Sequence, residues 1–445
     1  MQRSLSILFV VLLLGCGAVP SARAQQVAVE EFTLTNGMRF LLVPRRDQPN
    51  VISAGWVAKV GSANESPGLT GLSHFFEHLM FKGTDTIGKG EFDQIYTQAG
   101  GSSLNAFTSE DLTCYFCTVP ANKLELWAWL ESDRLRNSVF REFYTERDVV
   151  REERRLRTES TPTGRLQEQF DTLFWGASSC YAWPVIGWPS DIQSYTLAPA
   201  QAYWNIYYRP GNLVGIVVGD FDPAQAKRLL AAYFARLVPG TPPLPPAGTH
   251  PMAQLAEQRL HAVGDFPSAL EIRYHIVPAG HADSYALDVL AEVLNERTGR
   301  LYTGLVEGRK IATRARTTAE TRKFAGYFAF EAETQGEATP EMLEKAWYEE
   351  LATLQQQAVP ERELRKVQNR LAAGNYRRLE SNLSLLVQLA FAEAQLRWQE
   401  INDSPKKYAA VTAGDLQRVA RLYFAPAQRN VASYRREAKP PAPTP

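Results

Sequence analysis

Two histidines and a glutamate lie within five residues of the segment 71–84, which reads GLSHFFEHLMFKGT. His74 and His78 are four residues apart, so in a helix both rings would lie on one face and could bind one metal ion. Glu77 flanks that face, where a carboxylate could take a proton from a metal-activated water. Burying these polar groups among the neighbouring apolar residues would be costly without a partner. The pattern therefore predicts a zinc site with its own general base.

A zinc ion bound by two histidines needs a third protein ligand and an open position for water. The stretch REFYTERDVVREERRLR offers Glu146 and Glu153, which are seven residues apart and share one face of a helix. Taken alone, this stretch is typical of a charged, solvated helix. The histidine cluster makes it the predicted source of the third ligand. The other histidines lie in or beyond a proline-rich spacer and are weak candidates: His250, His261, His275 and His281.

The elements that must position these residues are predicted from periodicity. Thr70 is the predicted N-cap of the histidine helix, and Lys82-Gly83 supplies a cation and a left-handed stop at its end. Other helices are predicted at NKLELWAWLESDRLR, ADSYALDVLAEVLNE and through 339–423. Strands are predicted at FTLTNGMRFLLV (with a hairpin at Asn36-Gly37), VISAGWVAKVGS, NLVGIVVGDF, SALEIRYHIV, IATRARTTAE, AGYFAFEAET and NVASYR. The predicted fold class is α+β, with two related α/β halves, each a mostly antiparallel mixed sheet flanked by helices.

At 445 residues the chain is long enough for two domains. The stretch PGTPPLPPAGTHP, residues 239–251, predicts a semi-rigid spacer between them. We therefore expect an N-terminal metal-binding domain at 25–238, a linker at 239–252, a C-terminal domain without the metal motif at 253–436 and a disordered tail at 437–445. Lysine plus arginine equal aspartate plus glutamate, 48 against 48, which gives no electrostatic footprint for nucleic acid.

Residues 1–24 are typical of a secretory signal peptide, with a short apolar run and an A-x-A site before Gln25. A second interpretation stays open, because LLGC at 13–16 resembles the lipobox of bacterial lipoproteins and would leave Cys16 lipidated. Both interpretations predict export. No other segment is apolar over the length that crossing a bilayer requires.

The pair Cys114 and Cys117 has the spacing of a redox or zinc motif, but it lies in the apolar run CYFCTVP, which predicts a strand. Positions i and i+3 of a strand point to opposite faces, so the two sulfurs could neither bind one metal nor close a good disulfide. We expect these two cysteines to be buried structural thiols.

HFFEH is an inverted HExxH motif, and ERDVVREE follows it about 75 residues later. With these motifs the chain resembles the inverzincin metallopeptidases, the family of pitrilysin, insulin-degrading enzyme and the mitochondrial processing peptidase. GGSSLNAFTSEDLTCYF and the region 181–222 resemble further blocks of that family, and the length is closest to its bacterial, processing-peptidase-like branch. The resemblance implies a clamshell of the two halves around a chamber that admits unfolded peptides.

The resemblance also implies roles for particular residues. Glu152 is the nearest alternative to Glu153 as a ligand, but the helical register with Glu146 favours Glu153. The implied site has His74, His78 and Glu153 as ligands of one Zn²⁺ per chain, Glu77 as general base, Glu146 as the acidic residue that supports the site, and Asn105, Ala106 and Phe107 where extended substrate lies along a sheet edge.

Active members of the family carry an arginine and a tyrosine seven residues apart in the second half, which hold the substrate and polarise its carbonyl. Anchored on GRLY at 299–302, those positions fall at Val306 and Thr313, and the second half has no Arg-x6-Tyr pair elsewhere. Arg309 and Arg314 are nearby but bring no phenol. Because some relatives divide the work between subunits, we expect a homologous partner that supplies the pair, in a heterodimer rather than a homodimer.

The sequence thus predicts a zinc-dependent endopeptidase of the bacterial periplasm that acts on peptides. The alternative is a catalytically idle, core-type structural or peptide-binding subunit of the same fold. The retained ligands and Glu77 argue against this alternative, and the missing Arg/Tyr pair is the feature that favours it. Histidine and carboxylate ligands would also accept cobalt or manganese in vitro.

Overall fold

The computed structural model describes residues 26–241, 243–249 and 254–437. The predicted signal peptide, Cys16, His250 and the tail beyond residue 437 lie outside these ranges. Within them, no helix combines the length and the apolar character needed to cross a membrane.

The strands form two sheets, one in each half of the chain. The first sheet has six strands in the order β1-β2-β6-β3-β5-β4, and the second has five in the order β7-β11-β8-β10-β9. The strands are β1 (Glu30–Thr33), β2 (Arg39–Pro44), β3 (Val51–Ala58), β4 (Ser102–Thr108), β5 (Thr113–Pro120), β6 (Leu213–Gly219), β7 (Gln258–Gly264), β8 (Ala269–Ile276), β9 (Ala312–Thr321), β10 (Gly326–Thr334) and β11 (Arg429–Arg436).

The two sheets share one topology. β2–β6 and β7–β11 are parallel, and the other neighbouring pairs within the described residues are antiparallel. If β1 is left out, the five remaining strands of the first sheet have the same order and the same orientations as the five strands of the second sheet. The predicted fold class, two related halves with mostly antiparallel mixed sheets, is therefore confirmed, as is the hairpin at Gly37, which has a φ of 93°.

Fourteen α-helices flank these sheets in the described ranges. They are α1 (Leu72–Leu79), α2 (Glu91–Gln98), α3 (Leu124–Arg136), α4 (Phe143–Arg154), α5 (Gly164–Trp175), α6 (Pro189–Ser194), α7 (Leu197–Tyr207), α8 (Pro223–Phe234), α9 (Ala282–Leu294), α10 (Pro340–Gln356), α11 (Glu361–Glu380), α12 (Asn382–Gln395), α13 (Glu400–Ala410) and α14 (Ala413–Tyr423). Two segments are π-helical, Arg155–Glu159 directly after α4 and Tyr302–Gly308 before β9.

Each half contributes one helix that packs on the sheet of the other half. Helix α12 of the second half packs on the first sheet, where Leu386 and Leu389 lie in one buried cluster with Ile216 of β6. Helix α5 of the first half packs on the second sheet, where Phe170 lies in one cluster with Tyr434 of β11. Each sheet is thus covered on one face by helices of its own half and on the other by a helix of the other half. This explains why central strands such as β3 and β6 are continuous apolar runs, as expected for strands buried on both faces.

Cys114 and Cys117 have the structure predicted for them. Cys114 and Cys117 lie in β5 on opposite faces, since Cys114 belongs to the cluster beneath α12 and Cys117 to the cluster on the other side of the sheet. Both are buried with free thiols, and so is Cys180. Their role is packing.

Candidate metal centre

Helix α1 carries the histidine cluster, and its N-terminus differs from the prediction. The N-cap is Gly71, with a φ of 89°, and not Thr70. A left-handed N-cap favours glycine and offers no side-chain oxygen to the helix. Instead, the buried Glu65 carboxylate accepts from the backbone N–H groups of Gly71 and Ser73 at 2.6 and 2.7 Å, while Asp191 accepts from Thr70. A carboxylate is favoured at the positive end of a helix, so the start of α1 is held from outside it.

Helix α4 packs against α1 and brings its acidic face to the histidines. Phe75 of α1 meets Phe143 of α4 edge to face, with ring centroids 4.9 Å apart. Val150, one turn before the end of α4, is fully buried. These apolar contacts fix the rotation of α4, because Glu146 and Glu153 lie on the helix face next to them.

The donor atoms of three side chains converge. His74, His78 and Glu153 each offer one atom, and these atoms lie within 4.8 Å of one another. The Nε2 atom of His78 is 3.2 Å from the Glu153 carboxylate, and the Nε2 atom of His74 is 3.8 Å from it. The Nδ1 atom of His74 is buried without a hydrogen-bond partner among the described residues. Two imidazoles and one carboxylate are a donor set that suits Zn²⁺ and leaves a fourth position for water or substrate.

Glu146 holds His78 from behind. The Nδ1 atom of His78 is 2.9 Å from Glu146 Oε1, which leaves Nε2 directed at Glu153. The Lys82 ammonium group forms an ion pair with the other oxygen of Glu146. A carboxylate on the far nitrogen of a ligating histidine fixes the tautomer and the orientation of the ring. Sequence reasoning assigned Lys82 only to the helix end, and because Lys82 lies beyond the last residue of α1, helical spacing gave no signal of its ion pair with Glu146.

Glu77 is half-buried beside the donor atoms and is not one of them. The Thr108 hydroxyl at the end of β4 donates to its carboxylate at 2.5 Å. Burial raises the pKa of Glu77, and the hydrogen bond from Thr108 acts in the opposite direction. Together with His78, Lys82 and Glu146, Glu77 lines a pocket of about 220 Å³. A carboxylate with a raised pKa in such a pocket is suited to accept a proton.

The surroundings give the two histidines different proton affinities. Burial lowers the pKa of His74 to about 4, which keeps its ring neutral. Burial also acts on His78, but hydrogen bonds to Glu146 and Glu153 outweigh it and raise the pKa of His78 to about 9. The hydrogen bond with His78 lowers the pKa of Glu153. A metal ion must therefore displace a proton from His78 when it binds.

The rival ligands lie elsewhere. Glu152 is exposed, and its carboxylate pairs with Arg155, the closer pair of atoms 2.5 Å apart. His261 lies in β7 and His275 in β8, stacked on Phe174. His281 caps α9, where its side chain accepts from Asp283 N. None of these three histidines belongs to the group of converging donors in the described residues.

The predicted substrate residues lie on an edge strand. β4 ends the first sheet and pairs only with β5 among the described strands. Along it, Asn105 is exposed, Ala106 is buried and Phe107 is half-buried. An edge strand presents unpaired backbone groups that an extended peptide can bind. This edge adjoins the metal centre, because Thr108 of the same strand contacts Glu77.

Neither position of the missing Arg/Tyr pair carries an arginine or a tyrosine. Val306 lies in the π-helical segment and packs on the core of the second half, and Thr313 is exposed in β9. Arg309 is paired with Glu349 at 2.7 Å, and Arg314 with Glu333 at 2.7 Å. Both arginines therefore bind carboxylates of their own half.

Replacing Lys82 with methionine is expected to weaken zinc binding by about tenfold. Without the ammonium group Glu146 loses its ion pair, so it holds His78 less firmly. Competition with a chromophoric chelator measures the zinc affinity. Lys82→Arg should stay close to wild type, and Lys89→Met, which removes an exposed cation bound to Glu142, is the control. An unchanged affinity in the Lys82→Met variant would contradict the proposed role of Lys82.

Two models of one peptidase family match the chain. Residues 42–175 match the model described as insulinase, peptidase family M16, and residues 194–371 match the model described as peptidase M16 inactive domain. The zinc protease PqqE of Helicobacter pylori is 32% identical over 422 residues, which cover 93% of this chain and 94% of PqqE.

Solved structures resemble the whole described fold. A protease from Helicobacter pylori superposes with a TM-score of 0.86 at 29% identity, over 92% of this chain and 99% of its own. The periplasmic protease PqqL from Escherichia coli superposes with a TM-score of 0.76 at 19% identity, over 92% of this chain and 48% of its own. At that lower identity the likeness shows the fold alone, which is the two-half clamshell.

Proposed function

Because the chain belongs to peptidase family M16, the insulinase family, we propose that it is a zinc-dependent endopeptidase that hydrolyses unfolded peptides. The convergence of His74, His78 and Glu153 carries this proposal. The name of the relative PqqE, a zinc protease, supports the choice of metal. Glu77 beside the three donor atoms supports hydrolysis rather than metal storage.

The residues of the centre divide the chemistry among them. Zinc, when bound to His74, His78 and Glu153, supplies Lewis-acid activation of water and of the peptide carbonyl. The Glu77 carboxylate takes a proton from the attacking water and passes it to the leaving amine. Glu146 keeps His78 in the tautomer that offers Nε2. Peptide backbone pairs with the free edge of β4, at Asn105, Ala106 and Phe107.

A homologous partner subunit completes the proposed enzyme. The arginines at the relevant place are occupied in ion pairs, and Val306 and Thr313 supply neither the guanidinium nor the phenol of the pair. A homodimer would lack the Arg/Tyr pair in both copies, so we favour a heterodimer whose second chain carries Arg-x6-Tyr and lacks HxxEH.

Mixing this chain with such a partner is expected to raise its peptidase activity by about 100-fold or more, because removing one donor that stabilises the oxyanion costs a factor of this order. The measurement is hydrolysis of a fluorogenic peptide by each chain alone and by the mixture. The control is the same partner with its arginine changed to alanine and its tyrosine to phenylalanine. Full activity of the isolated chain would exclude a required partner.

A catalytically idle, core-type subunit is the second candidate function. The absence of the Arg/Tyr pair favours it, and so does the match of residues 194–371 to a model described as an inactive domain. Measuring the zinc content of the purified chain distinguishes the two functions. The peptidase requires one zinc per chain, whereas an idle subunit would keep its fold without any.

We further propose that the protein is exported and works in the bacterial periplasm. The signal-like residues 1–24 support this proposal, and the relative PqqL is described as periplasmic. Whether Cys16 carries a lipid can be tested by mass spectrometry of the mature N-terminus, which begins at Gln25 in one case and at a lipidated Cys16 in the other.

A further inference from the structure

The turn between β9 and β10, residues 322–325, reaches from the second half of the chain to the first. Ala325 of this turn is buried in one cluster with Trp175 of the first half. The turn contacts residues 109–112, which form the turn between β4 and β5. In the topology that the two sheets share, β9 and β10 correspond to β4 and β5. Equivalent turns of the two halves therefore meet, and the one from the first half directly follows the strand that contacts Glu77.

The buried Asp111 carboxylate of the β4–β5 turn is held by this contact. The backbone N–H group of Lys323 donates to one of its oxygens at 3.0 Å, and the Tyr181 hydroxyl donates to the other at 2.9 Å. The backbone N–H group of Phe324 in turn donates to the Tyr181 hydroxyl oxygen at 3.2 Å. A buried carboxylate needs such hydrogen bonds, because its charge is costly away from water. Two backbone groups of the second half thus fix Asp111, one directly and one through Tyr181.

Arg322 holds the other carboxylate of the β4–β5 turn. Its guanidinium group forms an ion pair with Glu110 at 3.0 Å and a second one with Glu320 at 2.7 Å. The group also lies over the rings of Trp175 and Tyr181, 5.1 and 5.0 Å from their centroids, where a cation is attracted to the ring faces. Burial raises the pKa of Glu110, and the charge of Arg322 acts in the opposite direction. Among the described residues, Arg322 is the only ion-pair partner of Glu110.

The β4–β5 turn leads directly to the proposed general base. Thr108, the last residue of β4, precedes the turn, and its hydroxyl donates to Glu77 at 2.5 Å. On the side of the first half, the carbonyl oxygens of Ser109 and Glu110 accept from the backbone N–H groups of residues 62–63, at 3.2 and 2.9 Å. These bonds hold the backbone of the turn, but its two carboxylates are held from the second half. The position of the Thr108 hydroxyl therefore depends on both halves.

Loss of Arg322 would leave the Glu110 carboxylate without its counter-ion. Because a buried charge without a partner is strongly destabilising, the turn would shift to bring Glu110 to water. Thr108 would move with the turn, since only Ser109 separates it from Glu110. Glu77 would then lose the hydrogen bond that fixes one of its oxygens. A misplacement of about 1 Å at a reacting group can cost about 100-fold in rate.

We propose that Arg322 is a positioning residue, which holds the β4–β5 turn and thereby orients the Glu77 carboxylate through Thr108. This inference rests on the proposed peptidase function, because the orientation of Glu77 matters for catalysis only if Glu77 is the general base. It gives the second half a part in the chemistry of the first, although the three converging donors all lie in the first half.

Hydrolysis of a fluorogenic peptide by the zinc-loaded chain, with its partner present, tests the proposal. Arg322→Met should lower kcat by about tenfold, as expected for a shift of a fraction of an ångström, and leave the zinc content unchanged. Adding Glu110→Gln to this variant should restore most of the lost activity, because it removes the charge that has lost its counter-ion. Arg316→Met is the matched control, since Arg316 is exposed in β9 and pairs with Glu331. It should leave kcat unchanged.

A double-mutant cycle shows whether Arg322 acts through Thr108. Thr108→Val keeps the shape of the side chain and removes the hydrogen bond to Glu77. In this variant kcat is already lowered, and adding Arg322→Met should lower it by less than about twofold more. A general loss of structure would instead lower kcat by the same factor with and without Thr108→Val.

A milder variant tests the contact if Arg322→Met folds poorly by circular dichroism. Tyr181→Phe removes only the hydroxyl that links Phe324 to Asp111 and leaves the ion pair of Arg322 in place. It should lower kcat by about fivefold, as expected for the loss of one hydrogen bond.

Amide hydrogen exchange of the zinc-loaded chain measures the contact without catalysis. In Arg322→Met the exchange of residues 108–113 should become about tenfold faster, because the turn opens more readily without the ion pair. In Arg316→Met the exchange of the same residues should not change.

The outcomes separate this inference from the proposed function. A wild-type kcat in both Arg322→Met and Tyr181→Phe would overturn the inference, and so would losses that multiply in the double mutant or exchange that does not respond to Arg322→Met. If the wild-type chain and its partner hydrolyse the peptide in that case, the peptidase function stands and only the role of Arg322 is wrong. If they hydrolyse no peptide while the exchange responds, the proposed function is wrong and the contact between the two turns stands.

Discussion

Replacing Glu77 with glutamine is expected to lower kcat for peptide hydrolysis by about 1,000-fold and to leave the zinc content unchanged. Glutamine has nearly the same shape, and its side-chain oxygen can still accept the hydrogen bond that Thr108 donates to Glu77. It cannot accept a proton from water at neutral pH. Metal binding should persist because Glu77 is not one of the three converging donors.

The measurement combines hydrolysis of a fluorogenic peptide with elemental analysis of the same sample. The partner subunit is present in both assays, so that a missing partner does not mimic a missing base. Glu125→Gln, at an exposed position of α3, controls for a glutamate-to-glutamine change away from the site. Retention of more than about one-tenth of the activity would contradict the role of Glu77, since losing a general base costs 100-fold or more. Loss of zinc would make Glu77 a ligand rather than a base.

Replacing Glu153 with glutamine is expected to weaken zinc binding by about 100-fold or more, beyond the range found for groups that only support a ligand. Glu153 contributes the only carboxylate among the three donors, and its oxygens face the Nε2 atoms of His74 and His78. A neutral amide binds zinc poorly, and the two histidines alone leave the ion under-coordinated. Peptidase activity should fall with the bound zinc.

The neighbouring glutamate is a matched control one residue away. Glu152→Gln changes the same chemistry, but the Glu152 side chain is 53% exposed and pairs only with Arg155 among the described residues. Zinc affinity and activity should both stay at the wild-type level. Chelator competition and circular dichroism on both variants separate loss of metal from loss of fold. If Glu152→Gln lost zinc and Glu153→Gln kept it, the helical register argued from Glu146 would be wrong.

Local patterns predicted the elements well where one physical rule dominates. Runs of valine and isoleucine predicted β6, which is buried along its whole length. The Asn36-Gly37 pair predicted the hairpin between β1 and β2, because glycine tolerates the positive φ found at Gly37. Helical spacing predicted that His74 and His78 share a face, and the structure brings Glu153 to the same face.

Contacts between distant segments could not be predicted in this way. Thr70 carries the side chain expected of an N-cap, yet the helix begins on Gly71, because Glu65 and Asp191 supply the acceptors from outside the helix. The ion pair between Lys82 and Glu146 was also not predicted, because a lysine is already expected near the end of a helix.

The exchange of helices was the largest feature that sequence reasoning left out. The periodicity of α5 and α12 shows which face of each helix is apolar, but not which sheet covers that face. Both helices lie in the half to which the spacer assigns them, and both pack on the sheet of the other half. The predicted boundary near residue 239 therefore divides the sequence into two halves, but the buried clusters contain residues from both of them.

This exchange determines which parts of the protein can move. Separating the halves would uncover Leu385, Leu386 and Leu389 of α12, and exposing each leucine costs about 2 kcal/mol. It would also break the ion pairs that Glu393 of α12 makes with Arg39 and Lys59 of the first half. These contacts therefore oppose a separation of the two halves. In the proposed heterodimer, an opening that keeps these contacts is a displacement of the whole chain against the partner subunit.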